Sequence, residues 1–190
     1  MLYWVHPSQG GQKGDSAKMR RKPALMMLAI VTVAALTFIG EFYGGPGITG
    51  DKINREELKK VSWPEQDCVI HGSCGDGSAL YVGVICRKDR SDAKYFLYIN
   101  PGGFSFGWHL LKSEKLTDPD GLLKFDCGRY GNAYAALNAT HNIQRIAFKD
   151  GREPAVVSAH SPIAEQSQQD VVFYDQKGNP VKPSVINAMD

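Results

Sequence analysis

Residues 24–40 form an uncharged apolar run, ALMMLAIVTVAALTFIG, and this run constrains the chain more than any other feature. At about 1.5 Å per residue, a helix of this length reaches roughly 26 Å, near the lower limit for crossing a hydrocarbon core of about 30 Å. Arg20, Arg21 and Lys22 precede the run, and Pro23 suits a first helical turn because the hydrogen bond it lacks is not needed there. Counted within about fifteen residues of each end, five Lys or Arg stand before the run and two, Lys52 and Arg55, after it. The positive-inside rule then keeps residues 1–22 in the cytosol and exports the C-terminal part.

A cleaved signal sequence is the main alternative. Met19 opens MRRKPALMMLAIVTVAA, a complete basic-then-apolar signal pattern in itself. Val33-Ala34-Ala35 fits the small-residue rule for cleavage, but Leu36-Thr37-Phe38-Ile39 continues the apolar run, which favours an uncleaved anchor. A buried core helix is disfavoured by the basic flank and the uniform apolarity. The expected layout is a basic cytosolic tail (1–22), an anchor or signal sequence (23–40), a Gly-rich spacer (41–50) and an exported globular domain (51–190). The expected location is the inner membrane, single-pass with a periplasmic C-terminal domain, or a soluble periplasmic or secreted form after cleavage. The layout suits a bacterial envelope protein.

Charge placement agrees. The net charge of +2 conceals a tail with five basic residues and one acid, ahead of a 51–190 region with 17 basic residues and 18 acids. A near-neutral domain lacks the basic stripe that nucleic-acid binding requires, so nucleic acid is not an expected partner.

Cys68, Cys74, Cys86 and Cys127 all lie in the exported part and form an even set, as expected of a disulfide-bonded domain in an oxidising compartment. Cys86 shares strand parity with Val82 and Val84, and Cys127 with Leu123 and Phe125, so both are expected to face the apolar side. The expected pairing is Cys86–Cys127 with Cys68–Cys74.

Beyond the spacer, Asn54 with Glu57 three residues on predicts a short helix through about Lys60, stopped by Trp63-Pro64. Period-two patterning then predicts strands at 68–71, 79–88, 94–99, 104–111, 122–127, 142–149, 155–160 and 170–175. Asn100-Pro101-Gly102-Gly103, Asp118-Pro119-Asp120-Gly121, Asp150-Gly151 and Lys177-Gly178-Asn179 supply the turns, with Asp150-Gly151 the clearest hairpin. A helix is predicted over 132–140, where Tyr134 and Leu137 stand three apart, and the 180–190 tail reads as irregular. The fold class is mainly β (α+β): an antiparallel sheet, small barrel or sandwich with one or two short helices, preceded by a single transmembrane helix.

Chemical motifs are few. His71 beside Cys74 or Cys86 is the only nucleophile–base candidate, since an imidazole that takes a thiol proton creates an attacking thiolate. His71-Gly72 followed by Cys86-Arg87 is similar to a fragment of the L,D-transpeptidase signature, in which His-Gly precedes Ser-His-Gly-Cys-x-Arg. Such a resemblance implies a cysteine nucleophile acting on peptidoglycan. Here Val82-Gly83-Val84-Ile85-Cys86-Arg87 lacks the Ser, the His and the Gly next to the cysteine, and the chain is not assigned to that family. Cys68, His71 and Cys74 have ligand-like spacing, but zinc needs a fourth ligand such as His109 or His160, and a bridged turn is the simpler reading. Asn138-Ala139-Thr140 matches a glycosylation triplet that has no meaning in a bacterium. No catalytic residue, cofactor or metal is assigned.

Phe104, Phe106 and Trp108 alternate on one strand face, opposite Ser105, Gly107 and His109. Phe104, Phe106, Trp108 and His109 are the candidate interaction residues, although half a core is the commoner use of such a face. The expected function is a membrane-tethered, non-catalytic binding domain in the cell envelope: an inhibitor or immunity factor, or an accessory part of a secretion or envelope assembly. Its expected partners are an envelope protein and, through residues 24–40, the membrane. The alternatives are a periplasmic enzyme on peptidoglycan or thiols using His71 with Cys74 or Cys86, and a structural subunit of a membrane complex.

Overall fold

The computed structural model describes residues 26–33, 46–74, 78–102, 107–159 and 161–189. The chain divides into two units, Met1–Gly44 and Gly45–Asp190. In the first, residues 26–33 are helical, and Met26, Met27, Leu28, Ile30, Val31 and Val33 are between 61% and 72% exposed. No helix among the described residues is long and apolar enough to cross a membrane. The rest of the 23–40 segment lies outside the described residues.

The second unit opens with helix α1 (Pro46–Lys60). Strands β1 (Cys68–Cys74), β2 (Leu80–Arg87), β3 (Ala93–Ile99), β4 (His109–Lys115), β5 (Leu123–Asp126) and β6 (Asn132–Ala136) follow. The chain continues through β7 (Ile143–Phe148), β8 (Ala155–Val156), β9 (Ile163–Ser167), β10 (Val171–Asp175), β11 (Pro180–Val181) and β12 (Ser184–Asn187). They form three four-stranded sheets, ordered β1-β2-β3-β4, β12-β5-β6-β9 and β11-β10-β7-β8. All pairings are antiparallel except that of β12 with β5. Each order is linear with two edges, so the mainly β expectation holds while the barrel option falls.

Three apolar cores explain why the strands take these positions. Leu80, Val82, Val84, Cys86, Tyr95 and Leu97 from the first sheet meet Phe125, Cys127, Ala133, Ala135 and Ala164 from the middle one. Tyr95 and Phe125 bridge this interface with ring centroids 4.7 Å apart. Tyr134, Ala136 and Ile163 project from the other face of the middle sheet onto Ile143, Ile146, Val171 and Phe173 of the third. The outer face of the first sheet presents Tyr81, Ile85, Phe96 and Tyr98 to Ile53 and Leu58 of α1. With both faces covered, β2 is buried from Leu80 to Cys86, which is why LYVGVICR does not alternate with polar residues.

Two paired glycines let aromatic rings lie down on that outer face. Gly72 and Gly83 are register partners. A Cβ on Gly83 would come within 2.1 Å of the Phe96 ring, and one on Gly72 within 2.0 Å of the Tyr81 hydroxyl. Side chains there would lift both rings off the sheet.

Five sequence expectations are corrected. The helix predicted over 132–140 is strand β6: Ala133 and Ala135 face one core while Tyr134 and Ala136 face the other, and burial on both sides imitates a helical pattern. The irregular tail instead contributes β11 and β12. The strand predicted over 104–111 begins at His109 within its described part, and that over 155–160 shrinks to Ala155–Val156. Helix α1 begins at Pro46, inside the predicted spacer, so Asn54 is not its cap; its side-chain oxygen accepts the Tyr81 hydroxyl at 2.8 Å. Asp150-Gly151 does join two antiparallel strands, β7 and β8, through a longer loop in which Gly151 has φ +89°.

Candidate functional site

Strand alternation decides the fate of the cysteine–histidine cluster. Along β1, Cys68, Ile70 and Cys74 turn toward the α1 side, while Val69 turns toward the core between the first two sheets. By the same parity His71 lies opposite Cys68 and Cys74, so the three do not converge on a metal and His71 does not meet the Cys74 thiol. Six residues of strand at about 3.3 Å each also separate Cys68 from Cys74 by about 20 Å, far beyond the roughly 7 Å limit for a disulfide. The expected Cys68–Cys74 bridge is therefore corrected: the two ends of one extended strand cannot be joined.

Cys86 and Cys127 do share one core, at 3% and 0% exposure, as their parity implied. The sulfurs of Cys68, Cys86 and Cys127 are thiols in this structure, and the Cys74 thiol lies 3.7 Å from the Ser78 carbonyl. Burial pushes Cys127 up to about 11 and also raises Cys86. Such a thiol holds its proton at neutral pH and is a poor nucleophile. Cys86 sits across from Val69, and His71 across from Val84, so the pair is diagonal rather than in direct register.

Trp108 belongs to the core under α1, edge-on to Tyr81 with centroids 6.4 Å apart, while His109 is exposed at the start of edge strand β4. Phe104 and Phe106 lie outside the described residues. Leu110, 48% exposed, follows His109 on the same edge.

The concave site with the most chemistry lies at a corner where all three sheets contribute. His71 enters from β1, Glu165 from β9 and Val156 from β8, with Ser158 and Ser161 on the segment between β8 and β9. The cleft encloses about 210 Å³ and is otherwise walled by apolar groups, including Ile146 and Pro162. Burial raises the Glu165 carboxyl, while the Arg152 charge and the Gln166 backbone N–H offset this only in part. His71 is exposed by surface area, yet enough protein surrounds its ring to depress the imidazole below its ordinary value. Desolvation thus favours the neutral form of both groups.

Arg152 acts on Glu165 through its charge and not through a hydrogen bond. Its Nε donates to Asp150 Oδ2 at 2.9 Å, its Nη2 donates to the Gln166 carbonyl at 3.2 Å, and its guanidinium lies 3.9 Å from the Phe148 ring centre. The sequence singled out His71 but not Glu165, Ser158 or Ser161. Ile163–Ser167 shows no apolar–polar alternation, so β9 is not predicted, and nothing local says that Glu165 lines one cleft with His71, 94 positions earlier.

A second hollow, of about 390 Å³, runs beside β10 and β11 and is lined by Lys124, Lys149, Lys182, Tyr134 and Asp170. Lys124 pairs with Asp170 at 2.5 Å, leaving Lys149 and Lys182 as exposed cations on its rim. The chain matches no protein-family model, no curated protein and no solved structure.

Proposed function

We propose that this chain is a membrane-tethered, non-catalytic binding module whose β domain acts on the exported side of the inner membrane. The observation that carries the reading is the helical segment 26–33. Its six large apolar side chains are each more than 60% exposed, and Arg20, Arg21 and Lys22 stand a few positions before it, ahead of Pro23-Ala24-Leu25. Exposed apolar surface of this kind wants a non-aqueous cover, and the basic flank selects a lipid bilayer with that flank on the cytosolic side. The β domain then works at the membrane surface, where confinement raises its effective concentration against envelope proteins. An inhibitor or immunity factor, or an accessory part of an envelope assembly, fits this address.

A binding role is further supported by how the domain distributes its chemistry. The buried thiols are protonated, the acids at turns are engaged with backbone N–H groups, and the open features among the described residues include edge strands, the corner cleft and the hollow beside β10 and β11. An unpaired strand edge such as β4 offers backbone groups for strand addition by a partner.

The test is a pair of C-terminal fusions after Asp190, one to an enzyme active only in the periplasm and one to a fluorophore that matures only in the cytosol. Activity of the first and darkness of the second are expected. The reverse pattern removes the tether and the envelope role together.

A further inference from the structure

The carboxylate of Glu165 enters the corner cleft with no side-chain donor from the described residues on it. Arg152, whose charge acts on it, is committed to Asp150 and to the Gln166 carbonyl. A carboxylate drawn out of water and left unpaired is costly unless a cation arrives to meet it. The rest of the cleft specifies which cation. His71, disfavoured from carrying charge, offers an imidazole lone pair, and Ser158 and Ser161 offer hydroxyl oxygens. That gathers several acceptors around one region, as three N–H donors radiating from a single nitrogen require. A planar guanidinium wants a bidentate fork instead. Val156, 85% exposed at the mouth, together with Ile146 and Pro162, provides apolar surface for a methylene stem.

We propose that the corner cleft formed by β1, β8 and β9 binds the side chain of a lysine presented by a partner polypeptide, with Glu165 receiving the ammonium and the apolar walls its stem. This rests on the binding-module reading and names the chemistry of the partner. Charge complementarity selects the occupant: the cleft holds, beside apolar walls, a carboxylate that no side-chain donor among the described residues meets. Lysine residues are thereby distinguished from acidic or purely aliphatic partner groups.

The experiment uses the purified full chain in detergent micelles and ligand-observed NMR titration. Nα-acetyl-lysine methylamide is the probe, with the norleucine analogue, which has a similar stem and no ammonium, and cadaverine as comparisons. The lysine probe is expected to bind saturably in the millimolar range, with the norleucine analogue about tenfold or more weaker. Glu165→Gln is expected to abolish that preference while circular dichroism stays unchanged. Equal binding of the lysine and norleucine probes, no saturation by the lysine probe, or an unchanged preference in Glu165→Gln would each overturn the proposal. Cadaverine binding more than tenfold tighter than the lysine probe would also overturn it, by assigning the cleft to a free diamine. If Glu165→Gln does not fold, the wild-type lysine–norleucine comparison decides alone. Fusion reporters test the membrane address independently, so a failed cleft and a failed tether are told apart.

Discussion

Glu57 is fully buried between α1 and the first sheet, and its removal is expected to destabilise the domain in a pH-dependent way. Its Oε1 accepts from Lys60 Nζ at 2.6 Å and from the Tyr98 hydroxyl at 2.6 Å, and its Oε2 accepts from Lys94 Nζ at 3.1 Å. Burial pushes the carboxyl up, but the hydrogen bonds from Lys60, Tyr98 and Lys94 and the Lys94 charge outweigh it, leaving the group below its ordinary 4.5. Glu57→Gln keeps the shape and strands the cations. Breaking a buried pair costs about 3–5 kcal/mol when the remaining charge has no escape. The Lys60 side chain is 48% exposed and swings into water, while Lys94 at 22% is more confined. Discounting for that solvation leaves about 2–3 kcal/mol at pH 7.

A carboxyl whose folded pKa is depressed contributes stability that is fully present above its unfolded value and is lost as pH falls through the folded one. The gap between wild type and Glu57→Gln should therefore be largest at neutral pH and shrink below about pH 4.5, the unfolded value. Urea unfolding followed by tryptophan fluorescence measures it, because Trp63 and Trp108 pack in the same core. Adding Lys94→Met to Glu57→Gln should recover about 1 kcal/mol by removing the stranded cation. A Glu57→Gln protein within about 0.5 kcal/mol of wild type at pH 7, or a gap that stays constant to pH 3, refutes the argument.

Gly83→Ala should cost about 1–3 kcal/mol in the same urea assay, because its methyl must displace the Phe96 ring; an unchanged midpoint contradicts the close approach. Asn138→Ala should cost about 2–3 kcal/mol by thermal melting, since the 1% exposed amide both donates to the Ile143 carbonyl and accepts its N–H at a φ of +52°. That same engagement makes Asn138 a loop pin and not a glycan acceptor. If the chain is oxidised, peptide mapping without reductant should find Cys86 joined to Cys127; recovery of a Cys68–Cys74 bridge would refute strand β1 as one extended element.

Most of the sheet architecture is legible in the sequence, and the exceptions share a cause. Residues 80–86 and 94–99 read as strands because β-branched and aromatic residues cluster between turn signals. Asn132–Ala136 misleads because small alanines on both faces of a central strand remove the period-two contrast. β12 is missed because its pairing is parallel, with β5 some sixty positions earlier, and no local turn announces it. The start of α1 is missed because a glycine-rich stretch has poor helix propensity, and tertiary contact with Tyr81 overrides that preference.

The corner cleft was hidden for a deeper reason than any single strand. His71 was visible as a histidine near cysteines, and local spacing drew it toward Cys74, yet β alternation sends the two side chains to opposite faces. What His71 does meet is set by the packing of β1 beside β9 and β8, elements from two other sheets. Glu165 carries no local mark either: its neighbours Ala164 and Gln166 are buried, and only the convergence of sheets makes its carboxylate a desolvated group with no side-chain donor among the described residues. Residues whose roles depend on where three sheets meet have no sequence spacing to betray them. A chain whose motifs fail one by one can therefore still bring chemically distinct groups together, and here the Glu165 carboxylate, with no side-chain donor among the described residues, is the group that the proposed partner lysine would meet.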